Sequence, residues 1–195
     1  MGGLLTNAGY RITDKPPNAS TANMGAHARA EALGLYQRLQ GIRELERISS
    51  GIWDIAVQGN LLIEVDEENH FNRHRAATLD GTGFPWTADY LRYCAEHESR
   101  CRTNGGFWTS TSSECMFGPA SPRGDHTGVG APRWRQRALY DAVRDVWAQG
   151  NPGWRLARLS IYDVVDGVSF NDILKGRQQI APDRLRELIE ARTMG

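Results

Sequence analysis

The stretch Gly51–His70, GIWDIAVQGNLLIEVDEENH, decides how this chain is read. Ile52, Trp53, Ile55 and Val57 precede a Gln58-Gly59-Asn60 turn signal and Leu61, Leu62, Ile63 and Val65 follow it, which predicts a β-hairpin. Side chains on a strand alternate faces, so Glu64 and Asp66 share one face of the second strand while Asp54 and Ala56 share one face of the first. Where those faces coincide, Asp54, Glu64 and Asp66 converge as hard oxygen donors for Mg²⁺ or Mn²⁺, and a metal-held water is the expected nucleophile. Asp54 sits inside an apolar run, where a buried carboxylate needs a partner or a metal to offset its desolvation. The plainer reading of Asp66, Glu67 and Glu68 is a solvated strand end with no metal.

The phrase Ile63-Glu64-Val65-Asp66, with Asp54 ten residues before Glu64 and His70 four residues after Asp66, resembles the PD-(D/E)XK nuclease superfamily. The nearest flavour is the very-short-patch-repair-like branch, in which such a strand is followed by a helix carrying Arg; Arg73 and Arg75 stand there in this chain. A second phrase, Gln136-Arg137-Ala138-Leu139-Tyr140, resembles the Q-x-x-x-Y element of RecB-like members, whose two polar residues share a helix face.

The resemblance implies an α/β fold with a restriction-endonuclease-like αβββαβ core, a long irregular insertion and C-terminal helices. It implies a metal-dependent DNA endonuclease, acting in defence or repair, with Asp54, Glu64, Asp66, Gln136 and His70 as catalytic residues. Asp54, Glu64 and Asp66 would hold Mg²⁺ or Mn²⁺. Gln136, braced by Tyr140, would position the phosphate or the water, and His70 would serve as acid or base unless it is a structural hydrogen-bonding group. An acid on the preceding helix, Glu44 or Glu46, would reach toward the metal or else face solvent.

One departure is plain: the superfamily's usual Lys two residues after the Glu is Asp66 here, and Lys15 and Lys175 are the only lysines in the chain. Arg73, Arg75 or Arg137 is then left to supply positive charge, although an Arg stays protonated and cannot act as a base. A second metal on Asp66 is another solution. The alternative function is a catalytically inactive module that keeps the fold and binds nucleic acid or a protein partner.

The rest of the chain frames these residues. Its 195 residues, 40% hydrophobic, suffice for a single nuclease-like domain over residues 25–195, preceded by an irregular N-terminal arm over 1–24 rich in Gly, Asn, Thr and Pro. With 23 basic and 23 acidic side chains the net charge is zero, which excludes attraction of DNA by overall charge and requires any such contact to be local. Neither a signal peptide nor a membrane-length apolar run is present, so a cytoplasmic location without membrane contact is expected.

Apolar spacing predicts helices over 25–49, 72–79, 86–100 and 135–147, and a central strand over 154–165. Two short helices beginning near Ser169 and Asp183 are expected to act as scaffold or as the contact of a homodimer. Residues 102–132, rich in Gly, Ser, Thr and Pro, read as a long loop insertion. Arg102, Arg123, Arg133 and Arg135 alternate there with Phe107, Trp108, Phe117 and Trp134, either as a nucleotide-stacking surface or as anchors for the loop. Three cysteines make an odd count, against a disulfide framework. Cys94, His97, Cys101 and Cys115 form a C-x₂-H-x₃-C-x₁₃-C series that offers Zn²⁺ four ligands, or else the cysteines are small buried hydrophobes.

Overall fold

The computed structural model describes residues 1–13 and 16–195; Lys15 lies outside them. In chain order it contains α1 (Gly2–Asn7), β1 (Ile12–Thr13), β2 (Ala19–Ser20), α2 (Ala26–Arg38), β3 (Ser49–Gly51), β4 (Ile55–Val57) and β5 (Leu61–Asp66). There follow α3 (Arg73–Leu79), α4 (Thr87–His97), α5 (Thr111–Phe117), α6 (Pro132–Gln149) and β6 (Arg155–Ser160). The chain closes with β7 (Val164–Val165), β8 (Val168–Ser169), α7 (Phe170–Leu174), α8 (Pro182–Ala191) and β9 (Thr193–Met194).

The hairpin forms as its pattern requires, with Ile55 opposite Ile63, Ala56 opposite Leu62 and Val57 opposite Leu61. Gly59 and Asn60 turn the chain at φ 81° and 57°, a left-handed backbone that Gly and Asn tolerate and branched residues do not. The main sheet runs β1-β4-β5-β6-β9. β1, β4 and β5 are antiparallel neighbours, whereas β5 and β6 pair in parallel over Leu61↔Arg155 through Asp66↔Ser160. A parallel neighbour requires a crossover, and the segment from α3 to α6 supplies it. The chain is therefore an α/β protein with a mixed sheet.

β5 is buried on both faces, which explains its nearly unbroken apolar run. Leu61 and Ile63 pack with Leu159, Phe170, Leu185 and Ile189 against α1, α7 and α8. Leu62 packs with Ala56, Leu156, Trp53, Phe71, Trp86, Tyr90 and Trp147 on the opposite side. Each fully buried Leu or Ile contributes about 2 kcal/mol of transfer free energy. By alternation Glu64 and Asp66 follow Leu62 onto the second face, beneath α6, and the apolar strand thus carries two carboxylates into the interior.

Four expectations are corrected here. The described residues of the segment 1–24 do not form an irregular arm: α1 buries Leu5, β1 adds an antiparallel strand to the main sheet, and β2 pairs with β3 in a separate two-stranded sheet. The helix expected over 25–49 stops at Arg38. Gln40 takes φ 62°, and at Gly41 any Cβ would lie about 2 Å from the Tyr36 ring, so the chain wraps that ring and leaves the helix. The strand expected over 154–165 ends at Ser160, where Asp163 turns to accept the Ser160 N–H at 2.8 Å, and Val164–Val165 join a separate two-stranded pair with β8. Finally, residues 102–132 are not irregular throughout, because α5 forms there behind a Ser110/Ser113 capping box.

Candidate functional site

The site begins at the end of the hairpin. One rung beyond Ile55↔Ile63, Asp54 and Glu64 face each other, and each carboxylate caps the opposite strand: Asp54 N–H donates to Glu64 Oε1 at 3.0 Å, and Val65 N–H donates to Asp54 Oδ2 at 2.9 Å. Asp54 is exposed and Glu64 is buried, the reverse of what the apolar flanks of Asp54 suggested. Burial drives the Glu64 carboxyl up from 4.5 to about 7, because Arg144, 3.6 Å away, and Arg158 offset the desolvation only in part.

Both carboxylates line an open cavity of about 430 Å³. Its other walls include Ser50, Glu67 and His70 and, from α6, Arg133, Arg137, Tyr140, Asp141 and Arg144. Positions 133, 137, 140, 141 and 144 make a single stripe along a helix, so α6 turns one face into the cavity. Arg144 is fixed by donating from Nη2 to the carbonyls of Ser50 and Ile52 at 2.8 and 3.1 Å. One wall is acidic and the facing wall is rich in guanidinium groups.

Behind the cavity lies a buried ionic cluster. Arg158, fully buried on β6, donates from Nη1 to both oxygens of Asp66 at 2.9 and 2.8 Å, and from Nε to Asp145 at 2.5 Å. Arg75 from α3 donates to the other oxygen of Asp145 at 2.7 Å, and Tyr90 OH donates to Asp66 at 2.9 Å. His70 joins the two regions: Nδ1 lies 2.7 Å from Asp141 Oδ2 and 3.2 Å from Asp66 Oδ1. Burial lowers the basicity of His70, but Asp141 and Asp66 outweigh it and hold its pKa above the ordinary value. Burial raises Asp141 in turn, yet His70, Arg158 and Arg75 hold its carboxyl well below the usual range. With His70 protonated, three cations face Asp66, Asp141 and Asp145.

Asp54, Glu64 and His70 therefore come together at one cavity, and Asp66 does not line it. Asp66 is instead turned inward onto Arg158 and Tyr90, where it lies with His70 and Asp141 behind the cavity. Gln136 is also set back: it is buried, accepts a hydrogen bond from Arg133, and donates to Ser112 Oγ at 2.8 Å and Tyr140 OH at 3.3 Å. Its contact with the cavity is indirect, through Arg133 and Tyr140. Glu44 and Glu46 do not line the cavity, and Lys175 is exposed beyond α7.

The four zinc candidates are not assembled. Cys101 Sγ lies 3.0 and 3.3 Å from the carbonyls of Glu68 and Phe71, His97 packs at a tilt against Tyr162 with ring centres 3.9 Å apart, and Cys115 is exposed on α5. Burial pushes both the Cys94 and Cys101 thiols up to about 12, as it does for cysteines packed as small buried hydrophobes. Among the described residues the group of three side chains close enough to share an ion is Asp66, His70 and Asp141. Trp108, Phe117 and Trp134 are buried loop anchors, not a stacking surface.

Sequence reasoning missed Asp141, Arg144, Asp145 and Arg158. Two signals were available: Asp141 and Asp145, four apart, fall among the apolar residues Ala138, Leu139, Ala142, Val143 and Val146 of α6, and Arg158 interrupts the apolar strand LARLS. Charges in such places require partners.

No curated protein and no solved structure matches the chain. Residues 34–176, which include the cavity, α3 to α6 and β6, match DUF7255, a family of unknown function. That span covers most of the chain, and the protein belongs to this family.

Proposed function

We propose that this protein is a metal-dependent nuclease that hydrolyses phosphodiester bonds of DNA at the cavity between the hairpin and α6. The observation that carries this reading is the pair Asp54 and Glu64, opposed across one rung and lining the same cavity as three arginines. The donor chemistry fits a hard divalent cation: an exposed carboxylate beside a buried one whose nearest cation, Arg144, stands off at 3.6 Å. Two carboxylates are a sufficient protein contribution for Mg²⁺ or Mn²⁺, which retain several waters. When bound, such an ion supplies an activated water and neutralises charge on the phosphate.

The chain's own residues supply the remaining functions. Arg133, Arg137 and Arg144 offer the positive charge that a Lys at position 66 would have supplied, and His70, anchored by Asp141, holds a proton at the cavity wall. The order α1, β1, β4, β5, α6, β6, with β6 parallel to β5, supports a restriction-endonuclease-like αβββαβ core whose first strand comes from the N-terminal segment. A second reading, a module that binds without chemistry, is favoured by the capture of Asp66 by Arg158.

Cleavage of supercoiled, linear and single-stranded DNA with Mg²⁺ or Mn²⁺ separates them. The nuclease reading predicts metal-dependent cleavage that falls at least about a hundredfold in Asp54→Asn, as loss of a charge-stabilising group typically does. Metal-independent cleavage, or wild-type and D54N proteins that are equally active, would sink it.

A further inference from the structure

Three arginines could in sequence terms have supplied the missing positive charge, and the structure separates them. Arg73 is paired with Glu98, and Arg75 is sealed in the core on Asp145. Arg137 lines the cavity, forms no ion pair among the described residues, and has its Nη1 buried without a hydrogen-bond partner. Arg144, two turns further along the same face of α6, likewise has a buried Nε without a partner. An unpaired buried donor on a cation carries a desolvation cost that a ligand can relieve. Arg133 lies one turn before Arg137, its guanidinium held by Gln136, which is itself held by Ser112 and Tyr140.

We propose that Arg137, flanked by Arg133 and Arg144, is a phosphate clamp that grips the backbone of a nucleic-acid strand without any metal, and that Gln136 is the residue that positions Arg133 in it. The clamp rests on the nuclease reading for its substrate class but not for its test. Guanidinium forks match phosphate oxygens in pairs, and three of them along one helix face follow a strand rather than a single ion. The acidic pair Asp54 and Glu64 on the facing wall repels the same phosphates, so removing a carboxylate should tighten metal-free binding.

The experiment is fluorescence anisotropy of a labelled 20-nucleotide single strand and its duplex, in EDTA, across a salt series. Wild type should bind. Arg137→Gln, which removes an unpaired buried donor and so should keep its melting temperature, should weaken binding about tenfold or more. It should also reduce the salt slope by about 0.7 for the single strand or about 0.9 for the duplex, one phosphate contact's worth. Arg137→Lys should restore the slope and only part of the affinity. Arg177→Gln, an exposed site paired with Asp172 and absent from the cavity wall, should bind as wild type. Glu64→Gln should bind at least as tightly as wild type, even if no cleavage is ever detected, which keeps failure of the clamp distinct from failure of the nuclease. The clamp is overturned if wild type does not bind in EDTA, if R137Q and R177Q behave alike, or if orthophosphate displaces the strand at equal phosphate concentration.

Discussion

Glu64 is placed where it costs stability. Its folded pKa of about 7 lies above its ordinary 4.5, so between those values the folded protein holds a proton that the unfolded chain has released. Stability from this group is therefore full below about pH 4.5 and declines as pH rises to about 7. Glu64→Gln removes that decline. In EDTA the variant should be more stable than wild type at pH 8, with the difference shrinking toward pH 4.5, as urea denaturation at the two pH values will show; a less stable E64Q at pH 8 contradicts the assignment. Such a gain at the expense of activity is the usual mark of a functional group held in an unfavourable place. Asp145 is the opposite case, since it neutralises both Arg75 and Arg158 in the core. Asp145→Asn should cost about 3–5 kcal/mol, measured by the same method, because it leaves buried charge uncompensated. The sequence made Asp54, Glu64 and His70 legible because chain spacing alone brings them close. The inward turn of Asp66 was not legible, because its partner Arg158 is 92 residues away along the chain and becomes its neighbour only through the parallel pairing of β5 and β6.

At the scale of elements, the hairpin and α6 together make the site. β5 delivers two carboxylates to the α6 side by strand alternation, and α6 answers with a stripe of arginines at helical spacing. Of these, only the alternation of β5 was readable from periodicity. The end of α2 was not, because it depends on a Tyr36 ring filling the space over Gly41 and on Arg135 donating to the carbonyl of Leu39 at 2.9 Å from a helix far along the chain. The N-terminal strand was hidden for a similar reason: two residues carry no detectable period, and only their pairing with β4 defines them. α3 depends on a local signal. Asn72, fully buried, accepts from the N–H groups of His74 and Arg75 at 3.0 and 3.3 Å and so caps the helix that carries Arg75. Asn72→Ala should cost about 1 kcal/mol from the cap alone, and more if its bond to the Asn69 carbonyl is also needed, as read from chemical denaturation. An unchanged midpoint would show that α3 is held by packing alone.

The whole molecule has no net charge, and its charges are sorted locally instead. One set is neutralised in the core, where Arg75, Arg158 and His70 meet Asp66, Asp141 and Asp145; another faces across the open cavity. None of its helices among the described residues is long and apolar enough to cross a membrane. The α/β class followed from the mixed sheet that the hairpin and the crossover enforce, whereas the proposed chemistry would depend on Asp54 and Glu64 holding a metal. The most direct test is nicking of supercoiled plasmid in Mn²⁺ by wild-type and Glu64→Gln proteins purified identically. The account predicts metal-dependent nicking by wild type that E64Q loses while remaining folded. Equal nicking by the two proteins, or none by wild type with Mg²⁺ or Mn²⁺, would contradict it.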